Sequence, residues 1–104
     1  MSEQVTNLRI VTLKEIKENA RVEGNSEDKL LLRKGEAAEE TILNLMERTL
    51  EDIEDEFGLV PAPIKEAILM YATHLYENRG ITNPTALYNV PYGIDAMLKP
   101  YIRL

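Results

Sequence analysis

From Ala38 onward the chain sets a repeating stripe at Ala38, Ile42, Leu45, Met46, Thr49, Leu50 and Ile53, ending at Phe57. At 100° per residue these positions span roughly 160° of a helical wheel. Glu40, Asn44, Glu47, Glu51, Glu54 and Asp55 fall opposite. The pattern predicts a long amphipathic helix. Leu31 stays in phase when the stripe is projected backward, and Asn25 or Ser26 is placed to cap the start, with Glu27 and Asp28 at the positive helix end. The predicted helix therefore runs from 26 to 57. Gly35 falls near the middle of the stripe. It either permits a close helix crossing or splits the segment into two helices, since glycine costs about 1 kcal/mol relative to alanine in a helix interior. Gly58 stands where a C-terminal cap belongs.

Two further helices flank this one. Upstream, "TLKEIKENA" begins a short helix in which Thr12 and Glu15 form a capping-box pattern and Leu13 and Ile16 share a face. "EGNS" stops it soon after Ala20. Downstream, "VPAP" is a stiff connector, and Pro63 suits a first helical turn. The predicted helix 63–78 carries Ile64, Ala67, Ile68, Leu69, Tyr71, Ala72, Leu75 and Tyr76 on an apolar arc of roughly 200°. Glu66, Thr73 and Glu77 form its polar strip, with Met70 beside it. So broad an arc predicts neighbours on more than one side: the long helix and, as a second candidate, another subunit.

Residues 79–91 read as a loop, with Gly80, Asn83 and Pro84 as breakers. Pro91 opens a last short helix, "YGIDAMLK", which stops before Pro100. Residues 1–11 carry no helix signal and form an N-terminal arm, and 99–104 form a tail free of helix constraints. The fold class is all-α: a small bundle of about four helices with extended N- and C-terminal arms, in one domain over 1–104.

Composition narrows the function. Twelve lysines and arginines face 18 acids, a net charge of -6, which argues against a basic surface that grips phosphate backbones. Without cysteine there are no disulfides or thiolate metal sites. "MSEQVTNLRI" lacks the basic segment and apolar run of a signal peptide, and no apolar stretch approaches the roughly 20 residues of a membrane span. A soluble intracellular or virion protein is expected.

The densest reactive stretch is "HLYENRG", residues 74–80, which holds the single histidine. On a helix His74, Glu77 and Asn78 share an edge. Zinc needs three or four ligands, and with one histidine the rest would be carboxylates, yet Glu66 and Glu77 face solvent on the wheel. A carboxylate–histidine hydrolase centred on His74 is the enzymatic alternative, but no nucleophile turn accompanies it. The structural reading is simpler: His74 packs at the stripe edge, Arg79 favours the negative helix end, and Gly80 caps it. No catalytic residue, cofactor or metal is expected. "NSEDK" lacks the alternating ligands of a calcium loop, and "RVEGNSED" lacks the Lys-Ser/Thr of a phosphate loop. "EDIEDE" at 51–56 reads as a solvated face. A DNA-reading helix-turn-helix would need a basic recognition helix, and neither long helix is basic. Tyr71 fits the core stripe, whereas Tyr76, Tyr88, Tyr92 and Tyr101 gather toward the C-terminal half, and tyrosine is favoured at interfaces.

"TLKEIKENARVEGNSEDKLL", Ala38, "AILMYATHLYENRG" and "VPYGIDAMLKPYIR" follow one another over about residues 11–103. In this order and spacing they resemble the tailed-phage head–tail connector (adaptor) family, also described as phage DNA-packaging proteins. The resemblance implies an all-helical, non-enzymatic structural protein of phages and prophages. It implies a homo-oligomeric ring of about a dozen copies, built from head-to-tail contacts, docked under the portal protein at the virion head–tail junction. Before assembly the subunits would be monomeric in the host cytoplasm. The ring would extend the DNA channel without sequence-specific binding or membrane contact, and would present a surface to the next head-completion or tail protein. A net charge of -6 suits a channel along which DNA slides. Arg79, Pro91, Tyr92, Gly93 and Arg103 match recurrent positions, whereas "GITNPTALYNV" is particular to this chain. The candidate subunit or portal interface comprises His74, Tyr76, Arg79, Tyr88, Pro91, Tyr92, Tyr101 and Arg103. The alternative is a helical protein–protein adaptor outside the virion.

Overall fold

The computed structural model describes residues 8–78 and 93–102. They form α1 (Leu13–Ala20), α2 (Asp28–Met46), α3 (Leu50–Phe57), α4 (Ala62–Glu77) and α5 (Ile94–Leu98), then a 3-10 turn at Lys99–Tyr101. Among the described residues the structure is helical without strands. The described residues hold five α-helices rather than about four.

The extra helix arises because the predicted 26–57 helix breaks, though not at Gly35. Glu47 turns left-handed (φ 54°), and the N–H groups of Glu47 and Arg48 bond back to the carbonyls of Asn44 and Leu43, closing α2. Thr49 then opens α3: its hydroxyl accepts the Asp52 N–H at 3.1 Å, and the Asp52 carboxylate accepts the Thr49 N–H. Thr49 thus belongs to a capping box and not to an uninterrupted stripe. The same box starts α1 at Thr12 and Glu15.

Gly35 serves the other role open to it. A Cβ there would lie 2.5 Å from Ile16 Cδ1 and 3.0 Å from Leu8 Cδ2. The absence of a side chain lets α1 and the N-terminal strip cross α2 closely. The start of α2 departs from expectation. Glu27 holds the cap position without a side-chain cap bond. Asn25 and Asp28 instead accept hydrogen bonds from Lys17 Nζ at 3.0 and 2.9 Å, fastening the α1–α2 turn.

α4 is the hub of the fold. It packs against α1, α2 and α5, which bury Ile64, Ala67, Ile68, Leu69, Tyr71 and Ala72. The broad apolar arc is therefore covered within one chain, and another subunit is not needed to explain it. The last helix begins at Ile94, after Gly93 (φ 102°). Pro100 stands inside the 3-10 turn, so the tail is not free of helical structure. Tyr101 and Ile102 pack against the core. At the other end Val11 is buried and Leu8 and Ile10 pack on the core.

Candidate interface site

Of the eight candidate interface residues, His74, Tyr76 and Tyr101 are among the described residues. Arg79, Tyr88, Pro91, Tyr92 and Arg103 lie outside them. The three do not form one cluster.

His74 and Tyr76 sit in the last turn of α4. The His74 ring stacks on Tyr71, with centroids 5.9 Å apart and planes 18° from parallel. The Asn78 amide nitrogen lies 3.2 Å from His74 Nδ1 and donates to the His74 carbonyl at 2.8 Å. An amide donor facing Nδ1 assigns the proton of a neutral imidazole to Nε2. Nε2 is buried without a hydrogen-bond partner. Glu66 and Glu77 are exposed, and among the described residues no hydrogen bond or ion pair joins a carboxylate to this ring. Among the described residues no group of three or more His, Asp or Glu side chains is placed to hold a metal ion. The Tyr76 hydroxyl donates to the Glu27 carboxylate, tying the end of α4 to the entry of α2. This tyrosine is a tether within the subunit.

Tyr101 belongs to a second locus, 27 residues further along the chain from His74. Its ring meets Phe57 edge-on, with centroids 5.6 Å apart and planes at 77°. The Arg48 guanidinium lies 5.6 Å from the Phe57 centroid and pairs with Glu56 at 2.9 Å. Arg48 Nε is buried and unpartnered. Phe57 remains 39% exposed, and Leu59, two residues on, is 78% exposed. The sequence reading missed this edge. Phe57 ends the predicted buried stripe and Leu59 falls between its capping glycine and the VPAP connector, although an apolar residue just past a helix-capping glycine is a signal for it.

Glu51, Glu54 and Asp55 are exposed along α3. A groove of about 760 Å³, lined by Arg9, Glu36, Glu40, Arg48 and Glu51 among others, runs between the N-terminal strip, α2 and α3.

The family model described as phage gp6-like head-tail connector protein matches residues 10–101, most of the chain. The protein belongs to the phage gp6-like head–tail connector family. No curated protein and no solved structure matched it. The matched span contains every described helix of this connector, together with His74, Tyr76 and Tyr101, and stops short of Arg103. Its family is one of structural phage proteins. No described helix is long and apolar enough to cross a membrane.

Proposed function

We propose that this connector assembles as a ring of about a dozen copies through head-to-tail contacts. The ring docks under the portal, extends the DNA channel and offers its far face to the next head-completion or tail protein. The family match over residues 10–101 carries this reading. The exposed Phe57 and Leu59 are apolar side chains open to such a partner. Among the described candidates, Tyr101 packs on Phe57 at that edge. His74, Arg79, Tyr88, Pro91, Tyr92 and Arg103 are the remaining candidates for subunit or portal contact. Tyr76 acts indirectly, by holding α4 on α2.

The test is sedimentation of the protein at rising concentration, with and without its portal ring. Co-sedimentation as a closed ring on the portal is expected. A protein that binds portal in neither regime is not a connector. Adjacent portal, capsid and terminase genes would be the matching genomic observation.

A further inference from the structure

The exposed face of α2 carries its charges in an order that does not serve the helix itself. Lys29, Arg33, Glu40 and Glu47 are exposed, and they fall within about 40° of one another at 100° per residue. The two cations stand toward the start of α2, Glu40 stands in its second half, and Glu47 holds its C-terminal cap. Lys29 in the first turn and Glu47 at the cap both oppose the helix macrodipole. Lys29 and Arg33, four residues apart, repel each other along the face. Arg33 and Glu40 lie roughly 10 Å apart along the axis. Among the described residues, none of these four side chains joins an ion pair.

The surroundings preserve the sign of each half. Beside the basic half, Asp28 is buried and pairs with Lys17 at 2.9 Å. Glu27 accepts the Tyr76 hydroxyl, and Lys34 adds a half-buried cation. Beside the acidic half, the groove of about 760 Å³ holds Glu36, Glu39, Glu40 and Glu51 against Arg9 and Arg48. Glu39 accepts backbone N–H groups and Arg48 pairs with Glu56, so this half stays acidic. Between the halves stands Ala37, exposed, four residues after Arg33 and three before Glu40. Half-buried Leu30 and Leu45, 37% exposed, lie to the Ala37 side of the charged stripe.

We infer that α2 of one copy packs antiparallel on α2 of a second copy of this chain, the two helices crossing at Ala37. The face is complementary to its own reverse. A two-fold axis near Ala37 sets Arg33 of each copy against Glu40 of the other and brings Lys29 toward Glu47, whereas a parallel copy would set like charges together. The small Ala37 side chain lets the helix axes approach to about 8–10 Å. Leu30 and Leu45 supply apolar contact beside the charges, and the opposite potentials orient the encounter. Both copies use the same surface, so the contact is isologous and closes as a pair. The pair is a state of the subunit outside the ring and does not rest on the connector reading.

Sedimentation velocity of the chain without portal, at rising concentration, tests it. The parent is expected to dimerise, and the dimer to weaken as salt shortens the screening length from about 10 Å at 0.1 M to about 3 Å at 1 M. R33E and E40R change exposed side chains, and parent-like helical circular dichroism would establish folding. Each variant alone sets like charges across the two-fold axis and should lose at least tenfold in dimerisation. An equimolar mixture should regain it, because each variant carries the sign that the other lacks. The chain has no cysteine, so A37C gives a second readout. It should oxidise to a disulfide-linked dimer at least tenfold faster than E54C, at an exposed position on α3. A parent that stays monomeric overturns the inference. So do folded R33E and E40R that dimerise like the parent, a mixture that stays monomeric, or A37C that oxidises no faster than E54C. A dimer that behaves as expected but never binds portal leaves the inference standing and overturns the connector reading.

Discussion

The carboxylate of Glu39, 3% exposed in the middle of α2, accepts the backbone N–H of Val11 at 2.8 Å. The same carboxylate accepts the N–H groups of Ile10 at 2.7 Å and Arg9 at 3.0 Å. Three consecutive backbone donors just before α1 thus converge on one side chain 28 to 30 residues away. A buried carboxylate is tolerated where several donors satisfy it. This one fixes the chain's entry into the fold.

Glu39→Gln replaces an accepting oxygen with a donating amide that faces backbone N–H groups. Bonds to a charged acceptor contribute about 1.5–3 kcal/mol, and an orphaned buried donor costs about as much. The variant should lose about 2 kcal/mol, lowering Tm by roughly 8–16 °C for a chain of this size. Amide exchange at Ile10 and Val11 should rise more than in α4. Unchanged exchange there would show that the N-terminal strip is held by Leu8 and Val11 packing alone.

The helices were legible to different degrees, for physical reasons. α4 was readable because one long apolar period carries it and Pro63 marks its first turn. The Thr12–Glu15 box was readable because nothing apolar competed with it. Thr49 and Asp52 form the same kind of box, but Thr49 also falls in phase with the apolar stripe, so periodicity concealed the break. The left-handed Glu47 gave no glycine signal. The Glu39 clamp was not legible at all, because a wheel shows that a carboxylate sits on a helix but not which distant backbone meets it. At the candidate site, tyrosine enrichment pointed to Tyr101 but not to its partners, Phe57 and Arg48. That grouping depends on how α3 turns after the break.

Gly35→Ala sets two known effects against each other. Alanine gains about 1 kcal/mol of helix propensity over glycine. Its Cβ would meet Ile16 Cδ1 at 2.5 Å in a fully buried site, and overpacking costs about 1–3 kcal/mol. The clash should win by about 1 kcal/mol in urea melts. Ile16→Val removes the clashing methyl, so G35A/I16V should be more stable than G35A. I16V alone should cost about 0.5–1.5 kcal/mol. Simple additivity of the two variants would mean that α1 shifts to absorb the new methyl.

The Glu15–Lys65 pair, 2.6 Å apart, joins α1 to α4. The hydrogen bond from Lys65 is the leading cause holding the Glu15 carboxyl below its usual range. The Thr12 capping contacts assist, and burial opposes. A carboxylate lowered on folding stabilises the fold above its unfolded pKa, and loses that contribution as pH falls through the folded value. Lys65→Met should therefore cost stability at pH 7 but almost none at a pH where Glu15 is protonated in both states. Because the pair is partly exposed, the difference should be about 0.2–1 kcal/mol and should shrink in high salt. Denaturant melts of parent and variant across acid pH measure it. A gap that persists into strong acid would trace the effect to Lys65 stem packing.

His74 offers the sharpest separation of packing from chemistry. Its ring stacks on Tyr71 while Nε2 lies buried without a partner, an arrangement that gains from the aromatic face and loses from the polar atom. Phenylalanine keeps the face and removes the orphan. Asn78 retains its bond to the His74 carbonyl, so little is forfeited at Nδ1. His74→Phe should match or exceed the parent in stability, because replacing an unsatisfied buried polar group with an apolar one is nearly neutral or favourable. His74→Ala loses the stack and opens space, and should cost about 1–2 kcal/mol. If His74 is packing, the Phe variant assembles on portal as the parent does. Parent-like folding of His74→Phe combined with loss of assembly would instead show that assembly depends on the polar imidazole and not on ring packing alone.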